Sequence, residues 1–445
     1  MRILIGLLAI AALAACEGDD EFAGPQTGTS ACSNDGQKQF VLDSLYAWYL
    51  WNDLLPAGIN IADYASPEVL VRDVTRIFGP QDANGNPVDR FSSVGSAQAD
   101  AEFFGEGKFE GFGFSYRTVD DATDDIRLSR VFSGSPAEMA GLARGQRFVS
   151  LDGRSIAEIQ ANEGIGAAFS NGTVVFEMRR IDGSVFSSSI TKDVVTIDPV
   201  PRTRIIDAGN GVMVGYLELS QFISTANPML ETVFADFIEA GVDDVIIDLR
   251  YNGGGLVSTA NLLGDYLGAF ANDSLVFSKM QFNADRVDDN STEFFERQGN
   301  SIDLGRLVVI ASRGTASASE LVTNSLTPYF DVTIVGDNTF GKPVGQIGLE
   351  FCEKILRPTS FKTVNVLDEG DYFDGLSVDC VAADDLNFGV GDDDDPNMIA
   401  ALTYLNSGAC PAAAASAGQF KPVFDAGVEK PDRRGPPERE FADAY

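Results

Sequence analysis

The chain has no histidine among its 445 residues. That absence excludes every Ser-His and Cys-His catalytic pair and removes the commonest metal ligand. Cysteine is sparse, at five, and no two stand in a Cys-x-x-Cys spacing, so a compact structural zinc site is excluded and no metal is expected. Positive charge is short as well. Lys and Arg number 32 against 66 Asp and Glu, a net charge of −34. Nucleic-acid partners require basic faces, and this composition excludes them. Beyond the N-terminus no run reaches eighteen consecutive apolar residues, so no spanning helix is expected there.

The N-terminus itself carries a short apolar stretch. Arg2 precedes Ile3 to Ala15, which ends in Leu13-Ala14-Ala15-Cys16. The stretch is too short to span a bilayer and has the small residues of an export signal. Cys16 directly after them forms a lipobox, so residues 1–15 read as a lipoprotein signal peptide and Cys16 as the lipidation site. The expected location is a bacterial cell envelope, with the lipid anchor as the sole membrane contact, facing the periplasm or exterior. The other four cysteines, Cys32, Cys352, Cys380 and Cys410, are even in number in an exported chain and suggest disulfides. Cys352 with Cys380 and Cys32 with Cys410 is the expected pairing, because the first two share one loop-rich excursion.

Composition divides the rest. Residues 16–36, rich in Gly, Ser, Thr and Asp, read as a tether. Residues 37–106 show helical spacing at Phe40, Leu45, Trp48 and Tyr49, and again after Ser66-Pro67. Residues 107–193 alternate strand-like runs with one short helix. Residues 194–405 repeat a strand–helix rhythm: Val212 to Leu219, Asn227 to Ala240, Val245 to Leu249, Leu256 to Phe270, Leu307 to Ala311. That rhythm predicts an α/β layered domain. Residues 406–445 read as a largely disordered tail. Asp82-Ala83-Asn84-Gly85 resembles a calcium loop superficially but lacks its sixth-position glycine and closing glutamate, so it reads as a turn.

Two segments carry chemistry. Thr315-Ala316-Ser317-Ala318-Ser319-Glu320 follows one strand-like apolar run, Leu307 to Ala311, and Phe340-Gly341-Lys342-Pro343-Val344-Gly345-Gln346 follows another, Val332 to Val335. A serine nucleophile needs a base, and without histidine a neutral lysine is the substitute. Ser317, at a strand-to-helix junction, is preferred over Ser319, which points about 200° away on the same helix. A basic Lys342 needs a desolvated pocket, for which Phe340 and Val344 offer apolar cover.

Further segments give a family resemblance. Gly111-Phe112-Gly113-Phe114, Gly134-Ser135-Pro136-Ala137 and Gly145 to Gly153 stand in the order of a PDZ domain. In such a domain Gly111, Phe112, Gly113 and Phe114 would form a backbone nest for a peptide carboxylate. With Asp89-Arg90-Phe91-Ser92, Gly215 to Phe222, and Asp248-Leu249-Arg250-Tyr251-Asn252-Gly253-Gly254-Gly255, the chain resembles the carboxyl-terminal processing (tail-specific) proteases over roughly residues 89–405, in a bacterial lipoprotein branch. The resemblance implies a multidomain α/β protein with a small N-terminal helical region, a β-rich PDZ domain and a crotonase- or ClpP-like layered core. It implies a serine endopeptidase in which Ser317 is nucleophile, Lys342 general base and Gln346 its orienting partner. One of Gly254 or Gly255 would join Ala318 in an oxyanion hole. No cofactor is implied. The partners would be protein substrates held by their C-termini, with an activator or adaptor as a further candidate. Where some relatives carry an aspartate eleven residues after the nucleophile, this chain has Pro328. Two rival classes remain: a non-catalytic PDZ adaptor and an esterase using the same serine.

Overall fold

The computed structural model describes residues 31–119, 124–209 and 211–411. The signal peptide, Cys16 and most of the expected tether and tail lie outside them. Among the described residues no helix is long and apolar enough to cross a membrane.

The catalytic-domain candidate is built on a six-stranded sheet whose spatial order follows the chain: Arg202–Asp207, Met213–Glu218, Asp244–Asp248, Arg306–Ala311, Asp331–Gly336, Cys380–Val381. The first pair is antiparallel and the rest parallel. Strand residues alternate between faces, so each strand feeds two cores. Val245, Ile247, Leu307 and Val309 pack against the helices Ala226–Ala240, Val257–Asn272 and Ala318–Leu326. Ile246, Val308 and Ile310 face the opposite way, onto Met398, Ala401 and Leu405 of the helix Pro396–Ser407. That helix starts as its composition dictates, with Asp395 accepting from the Asn397 amide and Pro396 in the first turn.

The N-terminal region holds the helices Asn34–Trp48 and Pro67–Phe78, capped by Ser33 and Ser66. They pack on a three-stranded sheet, Ser93–Ser96 with Lys354–Arg357 and Leu349–Phe351. This sheet joins the N-terminal region to a late segment of the chain. It also corrects the disulfide pairing: the bonds are Cys32–Cys352 and Cys380–Cys410. Cys352 turns between the strands Leu349–Phe351 and Lys354–Arg357, under the N-terminal helices and far from Cys380. Cys380 instead lies on the edge of the six-stranded sheet, beside the end of the last helix. Cys32 and Cys410 thus tie residues near both limits of the described chain to its interior sheets.

The middle module contains a sheet of Phe114–Thr118, Ile126–Val131, Arg147–Leu151, Thr173–Arg179 and Val185–Thr191. Its core is aromatic: Phe112, Phe114, Phe148, Phe169 and Phe176. A separate ladder, Lys108–Gly111 against Asp193–Thr196, closes its two chain crossings. The polar stretch 283–302 contributes the strand Ser291–Phe294 and the buried Phe295.

Candidate active site

Ser317 caps the helix Ala318–Leu326 with a left-handed backbone, φ 55° and ψ −116°. A non-glycine residue rarely takes this conformation, and it persists only where its surroundings over-determine it. Here the constraint is Glu320, one turn later. Its carboxylate is fully buried and receives four donors. Oε2 accepts from the amides of Ser317 (2.9 Å) and Lys342 (2.8 Å); Oε1 accepts from the Thr339 hydroxyl (2.5 Å) and the Gly341 amide (2.7 Å). Burial pushes this carboxyl above its usual range, and the four hydrogen bonds pull against that shift. One side chain thereby holds the serine and lysine segments together.

Lys342 is 2% exposed. Its Nζ donates to Gln346 Oε1 at 2.7 Å and lies 4.9 Å from the Phe91 ring centroid. Gln346 Nε2 donates to the carbonyls of Phe91 (2.6 Å) and Arg357 (3.1 Å). Phe340 and Val344 do provide apolar cover, in a cluster with Phe91 and Ala316. Ser319 is fully buried and its hydroxyl is committed to the Asn252 carbonyl at 3.0 Å, whereas Ser317 is partly open.

The glycine-rich loop lies against this pair. Gly254 has φ 107°, and a Cβ there would stand 2.7 Å from Ser317 Cβ and 2.9 Å from the Ala318 nitrogen. Its amide donates to Asn252 Oδ1 at 2.9 Å. Ala318 occupies the first helical position, where an N–H has no helical acceptor.

Beneath the loop is an ion network that sequence reading missed. Arg250, 1% exposed, donates to Asp248 and Asp395 and pairs with Asp384. Asp384 also meets Arg117 and Arg144 of the middle module. Burial pushes the Asp384 carboxyl up, but the three arginines outweigh it and hold it well below the usual carboxylate range. Tyr251 bonds Asp384 through its hydroxyl, and Arg130 and Arg144 each lie 5.6 Å from its ring. Asp248 and Arg250 stand two residues apart on the strand end, but the other carboxylate partners of Arg250 lie over a hundred residues away in the chain.

The peptide-nest residues divide. Gly111 belongs to the closing ladder, while the Phe112 and Phe114 side chains serve the aromatic core. Gly113 has φ 85°, and a Cβ there would collide with Ser135.

A fold of this kind, with a serine at a strained strand-to-helix turn and a buried lysine, defines a peptidase-like α/β protein. Residues 213–366 match the model of peptidase family S41, and residues 36–93 match the peptidase S41 N-terminal domain. Relatives include a carboxyl-terminal-processing protease of Synechocystis, 28% identical over 239 residues, covering 53% of each chain. The chloroplastic C-terminal processing peptidase of Tetradesmus obliquus is 28% identical over 253 residues, covering 53% of this chain and 52% of its own. The chain thus spans about half the length of the curated relatives it matches. A Bacteroides fragilis crystal structure described as an S41 protease superposes with TM-score 0.64 at 23% identity, covering 82% of this chain and 96% of that one. The photosystem II D1 C-terminal processing protease gives 0.52 at 19%, covering 85% and 99%, a likeness of fold. The chain is thus similar to peptidase family S41 and to the carboxyl-terminal processing proteases.

Proposed function

We propose that this chain is a serine endopeptidase of Ser-Lys type that takes proteins by their C-terminal tails. The observation that carries the reading is the buried Lys342, bonded to Gln346 and tied to Ser317 through Glu320. Neutral Lys342 removes the Ser317 proton as Oγ attacks the scissile carbonyl. The resulting ammonium gives that proton to the leaving amine, and water then releases the acyl group by the reverse path. Gln346 holds one lysine N–H, so the amine lone pair can turn toward the serine. The developing oxyanion would sit at the Ala318 amide and the Gly254–Gly255 loop. Gly255 is the better second donor, because the Gly254 amide is already engaged.

The middle module is read as a PDZ domain whose edge strand Phe114–Thr118 takes up the substrate tail. Its arginines 117, 130 and 144 reach the glycine-rich loop through Tyr251 and Asp384, which supports a link between tail binding and the active site. The address read from residues 1–16 is an envelope lipoprotein anchored through Cys16. The test uses one unfolded protein with an apolar C-terminal tail and the same protein with an acidic tail. Preferential cleavage of the apolar-tailed substrate supports the reading. Tail binding without cleavage supports the adaptor, and hydrolysis of simple esters alone supports the esterase.

A further inference from the structure

One buried carboxylate connects the N-terminal helical region to the lysine through a continuous set of bonds. Asp89, 1% exposed, opens the turn Asp89-Arg90-Phe91-Ser92. Its Oδ1 accepts from the amides of Phe91 (2.9 Å) and Ser92 (3.1 Å) and from the Thr359 hydroxyl (3.0 Å). Its Oδ2 accepts from the Ser92 hydroxyl at 2.6 Å, and Ser92 Oγ accepts from the Thr359 amide at 2.9 Å. Thr359 stands opposite Gln346 in the ladder between the strands Val344–Gln346 and Thr359–Val364. The turn is therefore fastened to the strand beside Gln346.

From there it delivers two groups. The Phe91 carbonyl accepts one Gln346 Nε2 hydrogen and the Arg357 carbonyl the other. An amide has two donors on nitrogen and an acceptor on oxygen. With both donors committed, Oε1 is the atom turned to Lys342 Nζ. The opposite rotamer would set Oε1 against two carbonyls and aim N–H groups at the lysine. The Phe91 ring covers the lysine on a second side, packed edge-on to Phe340, with Arg90 lying over both rings.

We propose that Asp89 is a positioning residue for the reaction: by setting the turn it aims the Phe91 carbonyl, which selects the Gln346 rotamer that orients Lys342. This rests on the Ser-Lys reading above, and gives the N-terminal helical region a part in catalysis. The test is a cycle of the full chain, Asp89→Asn, Gln346→Ala and the double variant, assayed for kcat and KM on the tailed substrate. Asp89→Asn should lower kcat by about 10- to 100-fold, the scale of a misplaced catalytic group, with KM little changed. The double variant should be no slower than Gln346→Ala alone, because the two act through one path. Wild-type kcat in Asp89→Asn, or losses that multiply in the double variant, overturn the proposal. If Asp89→Asn does not fold, Ser92→Ala takes its place in the cycle, and the same two results overturn the proposal there. An inactive wild type, or a fully active Ser317→Ala, overturns the Ser-Lys reading and this proposal with it, and is distinguished by failing before any Asp89 variant is compared.

Discussion

Ser317 and Lys342 donate their backbone amides to the same atom, Oε2 of the buried Glu320. The nucleophile and base of the proposed reaction are thus set against each other through the main chain rather than through the side-chain atoms that react. Replacing Glu320 with Gln puts an N–H2 group where two donors already point. We predict that Glu320→Gln lowers kcat/KM by at least about 100-fold and destabilises the fold by about 1–3 kcal/mol, the cost of unsatisfied buried donors. Kinetics on the tailed substrate and chemical denaturation check the two parts separately.

Arg250 is held by carboxylates on three segments, the buried Asp248 and Asp395 and the largely buried Asp384. Removing the cation leaves Asp248 and Asp395 uncompensated in the interior, while Asp384 keeps Arg117 and Arg144. Arg250→Met should cost about 3–5 kcal/mol, measured by denaturant unfolding. A loss under about 1 kcal/mol, the range of an exposed pair, would contradict the network's burial.

The two disulfides close very different loops, with sequence separations of 320 and 30. A longer closed loop removes more entropy from the unfolded chain. Cys32→Ala should therefore destabilise more than Cys410→Ala, each by about 2–5 kcal/mol. Peptide mapping without reduction should recover Cys32 with Cys352 and Cys380 with Cys410.

Asp265 gives a pH signature in stability. Burial raises its carboxyl from its ordinary value of 3.8 to about 6, against hydrogen bonds from the Glu296 amide and Gln298. A raised acid favours folding when protonated, so its contribution is complete below pH 3.8 and lost as pH climbs through about 6. Relative to wild type, Asp265→Asn should gain melting temperature across that window and keep the gain above it. Parallel melting curves for the two proteins between about pH 4 and 8 would contradict the assignment.

What could be read from sequence follows the range of the interactions. Buried apolar runs such as Val245–Leu249 and Leu307–Ala311 declare strands locally, and the serine and lysine stand just past strand ends, so both sites were legible. Absence of histidine pointed to lysine as the proposed base. The function of Glu320 was not legible, although it stands in the serine motif, because its partners Thr339 and Lys342 reach it only when parallel strands bring two loops together. The Asp89–Thr359 contact spans 270 positions and depends on the N-terminal region packing on a late strand. Cysteine pairing failed for the same reason: proximity in the chain suggested Cys352 with Cys380, while sheet topology separated them.

The most direct measurement is the initial rate at which wild type, Ser317→Ala and Lys342→Ala cleave the unfolded, apolar-tailed protein, with each variant's melting temperature taken alongside. The account predicts cleavage by wild type, a loss of at least about 1,000-fold in both folded variants, and wild-type activity that rises with pH as the lysine deprotonates. Cleavage retained by folded Ser317→Ala or Lys342→Ala, or a rate flat from about pH 5 to 10, would contradict it.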